Sequence, residues 1–172
     1  MRVKELMSHP AVTCPETATL DQAARLMWEY DCGVVPVVTD DGKLAGVVTD
    51  RDICMAAYTR GTPLAAIPVT TAMARQVVAS HADDDIESAE ALMRDNQIRR
   101  VPVLDGGARV QGVVSMNDFA RAAARAKKSD VDRELVRTMA AICQPRVQVQ
   151  GDGAVKATIQ PGSAEVLVVT GA

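Results

Sequence analysis

The sequence predicts a mixed α/β (α+β) fold built from two copies of one small β-α-β-β-α unit. The copies pack about a pseudo-twofold axis, and a helix and a short β meander follow them. Three observations lead there. First, Val3 to Ala57 aligns with Val69 to Ala123 without a gap, at a fixed offset of 66 residues. Met7/Met73, Met27/Met93, Pro36/Pro102, Gly46/Gly112 and Asp52/Asp118 all keep that spacing. A copy of this length holds several elements, so it is a subdomain and not a solenoid turn. Second, helical spacing alternates with short β-branched runs inside each copy. Third, the repeat ends at Ala124 and a different pattern begins. The chain therefore divides into residues 1–66, 67–125 and 126–172.

The elements of the first copy follow in order. A short strand is expected around Ala11 to Cys14. Thr19 reads as an N-cap, and Gln22 three residues on completes a capping box. Leu20, Ala23, Ala24, Met27 and Trp28 then keep helical spacing until Asp31 to Gly33 end the helix. Val34 to Val38 is too short for a buried helix and reads as a strand. Asp40-Asp41-Gly42 is a turn signal, and Leu44 to Val48 is the partner strand. Thr49 opens a second helix, from about Asp50 to Tyr58, which Gly61 stops.

The second copy repeats this order. A strand is expected around Val77 to Ser80. Asp85 caps a helix carrying Ile86, Ala89, Leu92 and Met93. Val101 to Leu104 is a strand, Asp105-Gly106-Gly107 turns, and Val110 to Val114 pairs back. Ser115 starts the closing helix, through about Ala124. Pro36 and Pro102 restrict their strands to edges, or to sites where the missing N–H is harmless. Gly46 and Gly112 allow another backbone or a ligand to come close, or pack beneath a helix. The sequence leaves that choice open.

Beyond the repeats, Ser129 begins a helix with Leu135, Val136, Met139, Ala140 and Cys143 on its apolar side; Pro145 ends it. The period then changes to two: Val147 and Val149, then Val155, Ala157 and Ile159, then Val166 to Val169. This reads as a three-stranded meander. It has too few apolar residues to stand alone, so it is expected to dock on the repeats or on a second subunit.

Composition narrows the function classes. The chain has 172 residues, 48% hydrophobic and 24% charged, as an ordinary soluble globular protein does. One Trp, two Tyr and one Phe leave the core to aliphatic side chains. The net charge of −3 argues against a duplex nucleic-acid binder and an anionic membrane surface. No apolar run approaches the roughly 18 residues that span a bilayer. The first residues lack the apolar core of a signal peptide, so a cytoplasmic location is expected. The four cysteines form no C-x-x-C, and His9 and His81 are not spaced with them as zinc ligands. Free thiols are expected, with a switch through Cys14 and Cys32 as an alternative. No nucleophile elbow, Walker A loop or metal-ligand cluster is present. Catalysis, a metal and an obligatory cofactor are therefore not expected.

The most specific local signal is Gly46-Val-Val-Thr-Asp-Arg-Asp52 and its copy Gly112-Val-Val-Ser-Met-Asn-Asp118. Each places a hydroxyl three residues before an aspartate at a strand-to-helix junction. One reading is capping: Thr49 and Ser115 at the N-cap, Asp52 and Asp118 in a first turn that favours negative charge. The other uses the same geometry. A helix start offers free N–H groups to a phosphate, and an acceptor-only carboxylate one turn in suits the two hydroxyls of a ribose. Arg51 can reach a phosphate in the first site. The second has Asn117 there, with Arg99 and Arg100 just before the Val101-Pro102 strand. Phosphate, sugar diol and a wall of valines together describe an adenine-nucleotide pocket.

The doubled order, the proline-centred strands and the paired closing motifs resemble a tandem pair of cystathionine-β-synthase (CBS) domains, a Bateman module. The resemblance covers about residues 1–125 and extends to small stand-alone bacterial proteins of this type. It implies sensing of AMP, ADP, ATP or S-adenosylmethionine as a regulatory ligand. By position, Thr49 and Ser115 would meet phosphate and Asp52 and Asp118 ribose. Val12, Thr13, Val34, Val78, Ala79 and Arg100 would flank adenine. Arg100 departs from the small or apolar residue usual there, and Met116 stands where the first copy has Asp50. The resemblance also implies a homodimer formed through the repeat helices and an effector protein, here unidentified. The alternative from another class is an interaction scaffold with vacant clefts.

Overall fold

The computed structural model describes residues 1–125, 129–143 and 166–168. The first repeat contains β1 (Cys14–Pro15), α1 (Leu20–Glu29), β2 (Val34–Val38), β3 (Leu44–Thr49) and α2 (Asp50–Arg60). The second contains β4 (Gln76–Val78), β5 (Ser80–His81), α3 (Ile86–Asn96), β6 (Arg100–Leu104), β7 (Val110–Ser115) and α4 (Met116–Arg125). Helix α5 (Ser129–Ile142) and strand β8 (Val166–Val168) follow. The expected β-α-β-β-α order is present twice. The first strand of the second copy is split in two, β4 and β5.

Local chemistry sets the helix ends. The Thr19 N–H donates to the Gln22 side chain at 3.0 Å, closing the capping box. Gly61 ends α2 with φ +60°, a left-handed turn that glycine adopts without a side-chain clash, and its N–H donates to the Ala57 carbonyl at 3.1 Å.

The two small sheets have the same topology. β1 runs parallel to β2, which pairs antiparallel with β3; β5, β6 and β7 repeat this arrangement. Val35 faces Val48 and Val37 faces Gly46; Val101 faces Val114 and Val103 faces Gly112. β2 and β6 are central strands, yet each contains a proline. The reason is register. β1 pairs only with Val37 and Val38, so Pro36 lies outside the stretch flanked on both sides. Pro102 is placed likewise, because β5 meets only Val103 and Leu104.

The repeats exchange their leading segments. The Val3 N–H donates to the Asp84 carbonyl and the Val69 N–H to the Ala18 carbonyl, both at 2.9 Å. Val3 is buried in the core of the second repeat beside Met93, Val101 and Phe119. Val69 and Met73 are buried in the core of the first, beside Leu20, Val35 and Ile53. Further on, Ser8 bridges to Val113 on β7, and Ala74 bridges to Val47 on β3. This crossing explains the strand glycines. A Cβ on Gly46 would stand 2.8 Å from the Ala74 carbonyl oxygen, and one on Gly112 would stand 2.7 Å from that of Ser8. The close approach is therefore by the exchanged backbone.

Helix α5 lies over α3 and α4, with Leu135 and Ile142 in the core of the second repeat and Thr138 buried between them. The Gln97 amide donates to the Ala141 carbonyl at 3.4 Å. Of the expected apolar side of α5, Leu135 is buried and the rest is not. Val136 and Met139 are exposed, as are Ala140 and Cys143. The groove between α3 and α4 selects the stripe at 135, 138 and 142, which is equally helical in spacing. The expected strands at Val147–Val149 and Val155–Ile159 lie outside the described residues. β8 pairs antiparallel with β4. Among the described residues no helix is long and apolar enough to cross a membrane.

Two expectations follow. Gly46→Val or Gly112→Val should destabilise the fold by roughly 1–3 kcal/mol, because a backbone carbonyl cannot move aside as a side chain can. Thermal melting checks this, and an unchanged Tm would contradict the crossing. Cys14 is buried and its thiol pKa is pushed up to about 11 by desolvation, whereas Cys54 and Cys143 are exposed. A thiol reagent at pH 8 should label Cys54 and Cys143 in the native protein and Cys14 only after denaturation, read by peptide mass spectrometry.

Candidate functional site

The leading-segment crossing creates a cleft between the repeats. Residues 8–11 run along β7 of the second repeat, and Cys14 and Pro15 then join β2 of the first. The span between forms one wall, with Pro10, Ala11 and Val12 on the cavity. The end of α1 and the start of β2 supply Tyr30, Asp31, Cys32, Gly33 and Val34. The closing motif of the second repeat supplies Ser115, Asn117 and Asp118, and Arg121 one turn further along α4. Arg100 enters from β6. The cavity holds about 250 Å³, near the lower end of small-molecule sites at roughly 300 Å³.

The closing motifs form the expected caps. Thr49 donates from its N–H and its hydroxyl to the Asp52 carboxylate, at 2.9 and 2.7 Å. Ser115 does the same to Asp118, at 2.7 and 2.6 Å. In both cases a single carboxylate oxygen, Oδ2, takes both bonds. The two motifs differ at the other oxygen. Arg121 pairs with Asp118 Oδ1, while Asp118 itself is only 3% exposed. Capping and ligand binding are therefore compatible: one oxygen holds the helix start, and the second faces a cation that can move aside.

Arg100 crosses to the first repeat. A Cβ on Gly33 would stand 2.7 Å from a guanidinium nitrogen of Arg100 and 2.9 Å from an Asp50 carboxylate oxygen. Gly33 is thus small because a guanidinium lies against it. Cys32 sits beside it, half-buried. Desolvation raises its thiol pKa, partly offset by a hydrogen bond with the Val34 backbone and by the Arg100 charge. With Cys14 also held protonated, the thiolate that disulfide exchange needs is scarce. That counts against the thiol-switch alternative.

The residues singled out in sequence distribute as follows. Val12, Val34, Arg100, Ser115, Asn117 and Asp118 line this one cleft. Position within the repeats would place Arg100 and Ser115 with Val78 and Ala79 of their own copy; the structure groups them with Val12 and Val34 of the other. Leading-segment exchange is the cause. Thr13 and Arg99 adjoin lining residues without lining the cavity, and Arg99 is exposed. Thr49, Arg51 and Asp52 occupy the pseudo-equivalent junction at α2, with Arg51 exposed. Val78 lies in β4, and Ala79 is buried against Leu44, Val77 and Leu104. Sequence reading missed Arg121 and the Tyr30–Gly33 turn. The i,i+3 spacing of Asp118 and Arg121 on a helix was a usable signal for the first; nothing local marks the second. Among the described residues no group of three or more His, Cys, Asp or Glu side chains could hold a metal.

Comparison with known proteins agrees with this architecture. The CBS domain family model matches residues 3–58 and 67–125. A CBS domain-containing protein, YhcV of Bacillus subtilis, is 35% identical over 118 residues, covering 69% of this chain and 82% of that one. The chain spans only 22% or 23% of three longer curated enzymes it also matches. Among solved structures, the CBS domain pair of protein MJ0100, in complex with 5′-methylthioadenosine and S-adenosyl-L-methionine, superposes with a TM-score of 0.67. It is 27% identical, over 73% of this chain and 97% of that one. The CBS domain protein PAE2072 from Pyrobaculum aerophilum, complexed with AMP, superposes with a TM-score of 0.66 at 26% identity, over 80% of this chain and 99% of that one. With two consecutive matches over most of its length and the paired architecture described above, this chain belongs to the CBS domain family.

Proposed function

We propose that this chain is a non-catalytic, cytoplasmic regulatory module that binds an adenosyl nucleotide in the cleft between its repeats. The observation that carries the reading is the composition of that cleft. A helix start with a hydroxyl and a buried carboxylate faces apolar Val12 and Val34 across a cavity that two arginines enter. Apolar walls suit a base, Asp118 a ribose diol, and Ser115 with the arginines a phosphate. Ribose binding would need Arg121 to leave Asp118 Oδ1, which frees its guanidinium for the ligand's anionic end. Relatives of the same fold support the reading: one is solved with AMP and another with S-adenosyl-L-methionine. AMP, ADP or ATP are the ligands we favour, because a phosphate offers the two arginines of the cleft more negative charge than the single carboxylate of a sulfonium ligand.

Ligand binding would bias the angle between repeats, by no more than its differential affinity for the two shapes. An effector protein would read the change. Calorimetry of nucleotide-free protein should show AMP binding, and Asp118→Ala should weaken it by about one to two decades, the loss of a charge-assisted hydrogen-bond pair of roughly 1.5–3 kcal/mol. Absence of heat at high micromolar AMP would reject the reading.

The exposed side chains favour a homodimer through the helices of the first repeat. Trp28, 89% exposed, lines an apolar groove between α1 and α2 with Ala24, Ile53, Ala57 and Leu64, and Tyr58 on α2 is 82% exposed. The equivalent groove of the second repeat is covered by α5. An isologous contact of α1 and α2 with their copies closes on itself and covers the bare face. Light scattering should give twice the 18.3 kDa chain mass, and Trp28→Glu with Tyr58→Glu should return the monomer. A monomeric wild-type chain would contradict the proposal.

A further inference from the structure

The two repeats present pseudo-equivalent walls to two potential clefts, and the C-terminal extension treats them differently. Pro10, Ala11 and Val12 wall the cleft described above. Their counterparts 66 residues on are Gln76, Val77 and Val78, which form β4. β8 pairs with all three: Gln76 with Val168, Val77 with Leu167, Val78 with Val166. We propose that β8 closes the second cleft by strand addition, so that the chain takes one nucleotide, in the first cleft. This rests on the nucleotide reading above.

The physical reasoning has two parts. A paired strand lies about 4.8 Å from its neighbour, so β8 occupies the space beside that wall and engages its backbone donors and acceptors. The sequence also explains why the strand adds to one wall and not the other. Pro10 has no N–H to give a ladder, and proline opposes strand pairing at such a position; Gln76 at the equivalent place has its donor. Helix α5 lies on the same repeat, so the whole described extension sits on the second copy. The Thr49–Asp52 junction is then a helix cap without a ligand.

The test uses the full-length chain. Leu167→Pro and the double variant Val166→Pro/Val168→Pro between them remove every strand donor of β8. Titration with AMP should give one site per chain in the wild type and two in the variants, the second lost on adding Asp52→Ala. Amide exchange should show Gln76, Val77 and Val78 protected in the wild type and less so in the variants. Two sites in the wild type would overturn the proposal. So would equal exchange in all proteins, or a single site persisting once the β4 amides are exposed. Absence of AMP binding in every protein would refute the nucleotide reading and the site count with it, while the exchange data would still decide whether β8 pairs.

Discussion

The exchange of leading segments is the constraint on which the rest of this molecule depends. Each segment buries one valine, Val3 or Val69, in the core of the other repeat. A fully buried valine contributes roughly 1.5–3 kcal/mol, so each repeat is stabilised by side chains it does not own. The segment then lies on a strand whose glycine, Gly46 or Gly112, admits its backbone. Only after that contact does the chain turn back to its own sheet. The cleft wall at Pro10–Val12 is the span of that return, so site and core have one cause.

In each closing motif one set of atoms stabilises a helix start and, in the proposed function, meets the ligand. Asp118 accepts from the N–H and the hydroxyl of Ser115 at the start of α4, a backbone donor that would otherwise be unpaired. A single carboxylate oxygen takes both bonds. The remaining oxygen is paired with Arg121, so the buried charge is compensated before any ligand arrives. In the proposed function a ligand would replace an existing ion pair instead of filling an uncompensated hole, so its affinity would be a difference between two paired states.

Pseudo-symmetry is present in the backbone and broken in the surface. The sheets match in register down to the same irregularity after Val37 and after Val103. The helical faces do not match. Trp28 of the first repeat is replaced by Arg94 in the second, where α5 covers the helices. The exposed aromatics and the covering helix belong to opposite halves, so one half of the duplicated unit leaves its helical face bare and the other is covered by the chain's own extension.

The sequence by itself determined the repeat, the order of elements and the caps. These are local or periodic: Thr19 with Gln22, Thr49 with Asp52 and Ser115 with Asp118 sit three residues apart, within reach of one helix start. It also marked Val12, Val34, Arg100, Ser115, Asn117 and Asp118. What it could not supply was their grouping, because that depends on the crossing of the leading segments, where Ser8 meets Val113 and Ala74 meets Val47, 105 and 27 residues away in sequence. The buried stripe of α5 was likewise decided by the groove it entered, since 135, 138 and 142 are as helical as 136, 139 and 143. Periodicity fixes which faces exist; only packing between distant segments selects the face that is buried and the residues that meet.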